Sequence, residues 1–320
     1  ESEYIKIFDI FQKLNIKAFF YIGGNDSMDT VSKLSKYAEN KNIDVKIMGI
    51  PKTIDNDLPI TDHTPGFGSA AKFISTVALE TYLDSSVYIN NGIFILETMG
   101  RDAGWLAASA SLAKLNNKPI ADFIYLPEIA FDTDAFIKDV KEKFKKQNHV
   151  YIVASEGLKD NDGNFLSTLQ SAECHDNFGH AQLGGVGNYL KSLILDNHIT
   201  TRVKSLELGV LQRCAMHISS SIDVEEAYVS GAAALRFAKD GMSGYMVGIK
   251  RMAGSTYLTE TFPIKASTVA NNVKYIPRDW INKEGNGVNE LFYNYANPLI
   301  SGNVELLYKD CIPSYHIFNK

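Results

Sequence analysis

Runs that are apolar at nearly every position recur along most of this chain, and each is followed by an amphipathic stretch. "KAFFYIGG" (17–24), "VKIMGI" (45–50), "GIFILETMG" (92–100), "DFIYLPE" (122–128) and "HVYIVASEG" (149–157) read as strands. Residues 26–40, 66–83, 102–115 and 132–147 read as the helices between them, with Val31, Leu34 and Ala38 on one side of the first. A strand apolar on both faces must be covered on both faces, and helical crossovers between parallel strands do that. The pattern therefore predicts an α/β fold with mostly parallel sheets. At 320 residues the chain has enough length for two lobes.

Such sheets bind ligands beyond the carboxyl ends of their strands. The segments that follow the apolar runs are thus the ones to inspect. "IGGNDSMDT" (22–30) places Gly23 and Gly24 between a strand and a helix, where a backbone can approach phosphate and a helix start supplies partial positive charge. Asp26 and Asp29 there also suit plain helix capping. "PKTIDND" (51–57) sets Lys52, Thr53, Asp55 and Asp57 together. On an extended backbone Asp55 and Asp57 would point the same way. One carboxylate can take a proton from a hydroxyl while the other orients the acceptor or holds a metal. A polar surface turn is the bland alternative. "ETMGRDAGW" (97–105) offers Arg101 for an anion or for a salt bridge. "ASEGL" (154–158) offers Glu156 for hydroxyls or for a cap. "LQR" (211–213) reads as a strand end carrying Arg213.

Composition narrows the class. Charged residues are 22%, the net charge is −5 and the pI is near 5.8, so no basic surface of the kind nucleic acids need is evident. Cys174, Cys214 and Cys311 are scattered and odd in number, which fits reduced, buried thiols in a cytosolic protein. "ECHD" (173–176) lacks a second Cys/His pair at zinc spacing. No apolar run approaches bilayer length, and the amino terminus lacks a signal-peptide layout. Instead Ile5, Phe8, Phe11 and Leu14 stand at helical spacing and predict a core-facing opening helix.

"GGNDS", "PKTIDND", "MGRDAG", "PE", "SEG" and "LGVLQR", in this order over roughly residues 17–250, resemble the phosphofructokinase family. The resemblance implies two Rossmann-like lobes with the active site between them. It places a phosphoryl-donor lobe in 1–66 plus 213–275, a sugar-phosphate lobe in 67–212 and a carboxyl-terminal extension in 276–320. It makes Asp55 the base for the 1-hydroxyl of fructose 6-phosphate, with Thr53 and Asp57 flanking it. Gly24 and Asp26 fall on the donor side, and Met99, Gly100 and Arg101 border the sugar and the transferred group. Glu156 and Arg213 are implied to contact the sugar phosphate. Asp26 and Lys52 stand where ATP-using members have glycine and pyrophosphate-using members have aspartate and lysine. The implied reaction is reversible phosphoryl transfer from pyrophosphate to fructose 6-phosphate in glycolysis. Magnesium is the implied cofactor, near Asn25 and Asp26, and a homodimer or homotetramer in the cytoplasm is the implied state. An ATP-dependent enzyme and a silent regulatory subunit that binds sugar phosphate are the competing readings.

The sequence departs from the family pattern in several places. Asn25 stands for the usual aspartate of "GGD", Gly92 for a common arginine, Val210 for a histidine, and "QRCA" for "QRGG"; Lys204 lies near an expected trans-acting arginine. These leave phosphate binding across subunits and acceptor breadth open. The family's opening strand and Gly-Gly-x-x-Pro-Gly-x-Asn phosphate loop are not found in these residues. An amino-terminal segment of the same protein is therefore expected to complete the donor lobe.

Overall fold

The computed structural model describes residues 2–87, 92–169, 184–254 and 256–317. The chain forms two compact units. Unit 1 comprises Glu1–Phe67 and Val224–Tyr275; unit 2 comprises Gly68–Asp223 and Ile276–Lys320. In chain order the main elements are α1 (Ser2–Lys13), β1 (Ala18–Gly23), α2 (Asn25–Asn40), β2 (Lys46–Pro51), α3 (Phe67–Ser86), β3 (Ile93–Thr98), α4 (Trp105–Ser109), β4 (Phe123–Tyr125), α5 (Thr133–Gln147), β5 (Val150–Ser155), α6 (Val186–Asp196), β6 (Val203–Glu207), α7 (Ser221–Lys239), β7 (Tyr245–Arg251), β8 (Thr259–Lys265), α8 (Ala266–Val269) and α9 (Glu290–Ala296). Among the described residues no helix is long and apolar enough to cross a membrane.

Unit 1 is built on a sheet in the order β1-β2-β7-β8. β1, β2 and β7 run parallel, and β8 returns antiparallel along β7. Strand alternation divides the apolar residues between two faces. Ile47 and Met246 join Phe8, Phe11, Met28, Val31 and Leu34 beneath α1 and α2. Met48 and Val247, one position on, meet Ala233, Ala234 and Phe237 of α7. The opening helix forms as expected, but its buried stripe differs. Ile5 is 48% and Leu14 67% exposed, while Tyr4 and Ile7 join Phe8 and Phe11 on the core. The aromatic contacts explain the choice: Phe8 stacks on Tyr37 at 5.1 Å, and Tyr4 meets the same ring edge-on at 5.5 Å.

Unit 2 carries an all-parallel sheet in the order β4-β5-β3-β6. β3 and β5 are buried at all six positions each, as their unbroken apolar runs require. Phe136 and Val140 of α5 and Leu190 and Ile194 of α6 complete that core. Asp132 starts α5 by accepting the Ala135 N–H at 2.9 Å, and Asn148 ends it in the left-handed region at φ 55°. The start of α6 is held by a buried side chain from β3. Glu97 accepts the N–H groups of Gly185 and Gly187 at 2.9 and 2.8 Å. Burial raises the pKa of Glu97, and those bonds oppose the rise.

Two expectations change in unit 2. The helix expected over 102–115 shrinks to α4 and a 3-10 turn, Ala110–Leu112. Asn116 and Asn117 both take positive φ, 50° and 61°, and close a hairpin between Lys114–Leu115 and Lys118–Pro119. Two left-handed residues in succession are the signature of a tight hairpin turn, which a helix cannot contain. Residues 276–320, expected as a packed carboxyl-terminal extension, cluster with unit 2, and the chain enters unit 1 again at Val224, where the donor lobe was expected to resume at 213. Trp280 and Tyr295 pack on Trp105 at 6.1 and 5.3 Å, which binds the tail to α4.

A buried ionic cluster braces unit 1. His63, 1% exposed, lies between two carboxylates: Nδ1 is 2.8 Å from Asp62 Oδ1 and Nε2 2.6 Å from Glu226 Oε2. Arg251 reaches Asp62 at 3.1 Å, and Tyr257 and Thr259 donate to Glu226 at 2.8 and 3.0 Å. Burial alone would depress His63, but hydrogen bonds to both carboxylates outweigh it and raise its pKa above 6.5. Burial would likewise raise Asp62 and Glu226, yet the same bonds hold them below 3.8 and 4.5. The imidazolium contribution is therefore full below pH 6.5 and lost as pH rises through the raised value. The carboxylate contributions are full above 4.5 and lost as pH falls through the lowered values. His63→Ala removes one partner from each carboxylate while Arg251, Tyr257 and Thr259 remain, and is expected to cost roughly 1–3 kcal/mol between about pH 4.5 and 6.5. Urea denaturation of both proteins across pH checks this, the difference shrinking towards alkaline pH.

Candidate active site

Each expected site residue lies in one unit or the other, and each set is described within its own unit. In unit 1 the parallel pairing of β1 and β2 ends with Gly23 opposite Pro51. The Lys52 N–H continues the ladder by donating to the Gly23 carbonyl at 3.0 Å. The turn into α2 and the "KTIDND" loop therefore leave the same sheet edge side by side. Gly23 has to be glycine, because a Cβ there would lie 1.9 Å from Ser27 Oγ. Gly24 caps α2 with no side-chain bond, and a Cβ on it would stand 3.6 Å from that of Thr53. Asp26 is exposed in the first turn of α2, and Lys52 is exposed at the end of β2.

Thr53 is buried and tied in on several sides. Its N–H donates to the Pro65 carbonyl at 3.2 Å, and its carbonyl accepts from Thr64 Oγ1 at 2.8 Å. Its hydroxyl accepts the Asp55 N–H at 3.1 Å and lies 3.2 Å from Asp55 Oδ2. Asp55 is thus held by a neighbour's hydroxyl while its carboxylate remains part-exposed. The extended backbone expected for Asp55 and Asp57 is absent. Asn56 between them is fully buried at φ 54°, so the chain turns there and the two carboxylates do not share a strand face. Asn25 also has a definite task. Its carbonyl oxygen accepts the Asn271 N–H at 2.5 Å and its amide donates to the Asn272 carbonyl at 2.6 Å. That clamp engages both polar atoms of Asn25.

In unit 2 the equivalent edge carries Met99, Gly100, Arg101 and Glu156. Gly100 takes φ 125°, open only to glycine, and donates its N–H to Glu156 Oε1 at 3.3 Å. Ser155 Oγ donates to the Gly100 carbonyl, and the Glu156 N–H donates to the Thr98 carbonyl at 2.9 Å. The turn after β3 and the turn after β5 are thus stitched together. Arg101 is half-buried, and its Nε is buried without a hydrogen-bond partner among the described residues. A guanidinium donor left unmatched in this way suits an anion. Arg213 lies not at a strand end but on the 3-10 turn Gly209–Arg213 after β6, where it is exposed. Gly209 at φ 49° bends the chain out of the strand direction.

Three supporting residues escape the sequence reading. Gln212, buried beside Arg213, accepts the Met99 N–H on Oε1 at 3.1 Å. Glu128 accepts the Gly104 N–H on both oxygens, at 2.9 and 3.1 Å, and the Ile276 N–H at 3.0 Å. Burial raises its pKa against those bonds. Lys274 donates to Asn56 Oδ1 at 3.2 Å and to the Asp62 carbonyl at 2.9 Å. Burial pulls its ammonium down to about 7 against the attraction of Asp62 and Asp57. The quoted "PE" and "LQR" stretches contain two of the three, and their signal was a buried polar residue directly after a strand or within a turn. The Cys174 and "ECHD" readings fall outside the described residues, while Cys214 and Cys311, expected to be buried, are exposed.

Residues 1–238 match the family model described as phosphofructokinase. The chain belongs to the phosphofructokinase family. It is 39% identical over 303 residues to the pyrophosphate–fructose 6-phosphate 1-phosphotransferase of Halomonas elongata, an alignment covering 94% of this chain and 71% of that protein. It is 38% identical to the protein of the same name from Xanthomonas campestris, over 98% of this chain and 75% of that one. A crystal structure of a pyrophosphate-dependent phosphofructokinase from Nitrosospira multiformis superposes with a TM-score of 0.87 at 36% identity, covering 98% of this chain and 75% of the other. The α/β fold expected from the sequence is the one this phosphofructokinase adopts.

The close packing of the unit 2 turns has a consequence within this family member. A Cβ on Gly157 would lie 1.9 Å from the Arg101 carbonyl oxygen and 2.5 Å from that of Gly100. Backbone atoms cannot swing aside as a side chain can. Gly157→Ala is expected to destabilise unit 2 by roughly 1–3 kcal/mol, and thermal unfolding should show it as a lowered Tm.

Proposed function

We propose that this phosphofructokinase transfers a phosphoryl group from pyrophosphate to the 1-hydroxyl of fructose 6-phosphate. The observation that carries the donor assignment is the adjacency of the two loop starts in unit 1. Asp26 lies in the first turn of α2 and Lys52 directly follows β2; β1 and β2 are paired to their final residues, and the Lys52 amide extends their ladder. A carboxylate at the helix start repels a further phosphate and fills room that a nucleoside triphosphate would need. The Lys52 ammonium supplies a compact cation for the inorganic diphosphate.

In this reading Asp55 takes the proton of the sugar hydroxyl as its oxygen attacks phosphorus in line. The Thr53 hydroxyl, already bonded to Asp55, keeps the carboxylate turned towards its task. Lys52 and Arg101 neutralise the charge that grows on the transferred group and its leaving oxygen. Gly24 gives the donor close access to the backbone, and Asp57 borders the acceptor. Met99 and Gly100 shape the sugar side, where Arg213 takes the sugar phosphate and Glu156 its hydroxyls.

Magnesium fits this set in a particular way. Asp26 is an exposed carboxylate at a loop edge, and among the described residues no group of three or more His, Cys, Asp or Glu side chains could hold a metal. Magnesium characteristically uses one or two carboxylates and takes its other ligands from phosphate and water. Asp26 is the proposed carboxylate. Asn25, whose amide is spent on Asn271 and Asn272, fixes the helix start beside it. Held there, the ion would supply positive charge against the negative charge of the diphosphate. The enzyme is proposed to act as a cytoplasmic homodimer or homotetramer.

Asp55→Ser is expected to lower kcat by roughly 10²–10⁴-fold with folding intact. A near-normal rate removes Asp55 from the role of base. Asp26→Gly combined with Lys52→Gly should raise the rate with ATP relative to that with pyrophosphate. An unchanged donor ratio defeats the donor argument, and wild-type protein that prefers ATP supports the ATP-dependent reading. Binding of fructose 6-phosphate with no turnover on either donor points to a regulatory subunit.

A further inference from the structure

The loop that carries Asp55 is closed by a residue more than two hundred positions away. Lys274 Nζ donates to Asn56 Oδ1 at 3.2 Å, to the Asp62 carbonyl at 2.9 Å and to the Thr61 carbonyl at 3.4 Å. An ammonium has three N–H donors, and here three acceptors meet it. The Lys274 backbone N–H adds a fourth bond, to the Asp57 carbonyl at 2.7 Å. One residue thus grips the loop at Asn56 and Asp57 and again at Thr61 and Asp62. The far grip is itself anchored, because the Asp62 carboxylate is bound by His63 and Arg251.

What the near grip holds is an unusual conformation. Asn56 is fully buried in the left-handed region, between the two aspartates. Asparagine tolerates that region better than most residues, but the preference is weak without support. The angle at which Asp55 leaves the backbone depends on Asn56 staying there.

We propose that Lys274 is a positioning residue for phosphoryl transfer, one that fixes the Asn56 turn and through it the direction of the Asp55 carboxylate. The inference rests on Asp55 as the base. Lys274 touches no reacting atom in this scheme. It acts on Asn56, and its effect should appear in the chemical step rather than in substrate binding. A displaced reacting group of this kind costs about 10–100-fold in rate.

The test uses the full chain with Lys274→Met, Asn56→Ala, the double variant and Asp55→Ser, assayed with pyrophosphate and fructose 6-phosphate. Lys274→Met is expected to lower kcat by roughly 10–100-fold while both KM values stay within about threefold. Asn56→Ala should do the same. The double variant should be no slower than the slower single one, because both changes release the same turn. Wild-type kcat in folded Lys274→Met, or losses that multiply in the double variant, overturns the proposal. Should Lys274→Met fail to fold, Asn56→Ala decides: unchanged kcat overturns it, and a fall in kcat with KM preserved supports it. Asp55→Ser separates the two levels of the argument. If that variant is fast, the base assignment has failed; if it is slow while Lys274→Met is normal, only the positioning role has failed.

Discussion

The hydrogen bond from the Lys52 amide to the Gly23 carbonyl extends the β1–β2 ladder one step past the sheet. The proposed donor side depends on that step. It forces two loops to begin at the same height, one opening α2 and the other carrying Asp55. A parallel pair does this naturally, because both strands end at the same edge. An antiparallel pair would send the two loops to opposite ends. The choice of a parallel core is thus already a choice about where cations, helix amides and carboxylates can gather.

The same economy appears in unit 2, where β3 and β5 are parallel neighbours with Thr98 opposite Ser155. Their turns are joined by Gly100 and Glu156, with Gly157 pressed against Arg101. Glycine occupies the contact points because backbone meets backbone there. Arg101 and Glu156, both half-buried, then stand on a rigid edge, which is what precise anion placement requires.

Much of this was legible from local pattern. Unbroken apolar runs named β3 and β5, because burial on both faces leaves no room for polar alternation. The clusters after the strands drew attention to Lys52, Asp55, Arg101 and Glu156, though a surface turn, a salt bridge or a cap would also account for each taken singly. Other features were hidden for physical reasons. The turn at Asn56 looks extended in a string of letters, since asparagine gives no sign of which backbone region it occupies. Leu14 is as apolar as Phe11, and only ring packing against Tyr37 and Phe19 decides which face of α1 is buried. The hairpin closed at 116–117 follows a stretch of small, helix-tolerant residues, which carried the helix reading on through Lys114 and Leu115.

The deepest omission concerns the groups that support the loops. Loop backbones that leave a buried sheet edge carry amides and carbonyls with no ladder partner, and these must be satisfied. If the chemical side chains did so, they would be unavailable to substrate. Both units solve this by drafting polar residues from elsewhere in the chain. Gln212 serves Met99 across 113 positions, Glu128 serves Ile276 across 148, and Lys274 serves Asn56 across 218. Gln212 is buried and Glu128 and Lys274 partly so, and each meets two or more backbone or side-chain groups. Local reading finds the residues proposed to face substrate because they sit together in sequence. It misses their supports because a support has to come from another element, or it would move with the loop it holds. A loop at such a sheet edge is therefore specified twice, once by its own motif and once by a distant polar residue whose identity only the tertiary structure discloses.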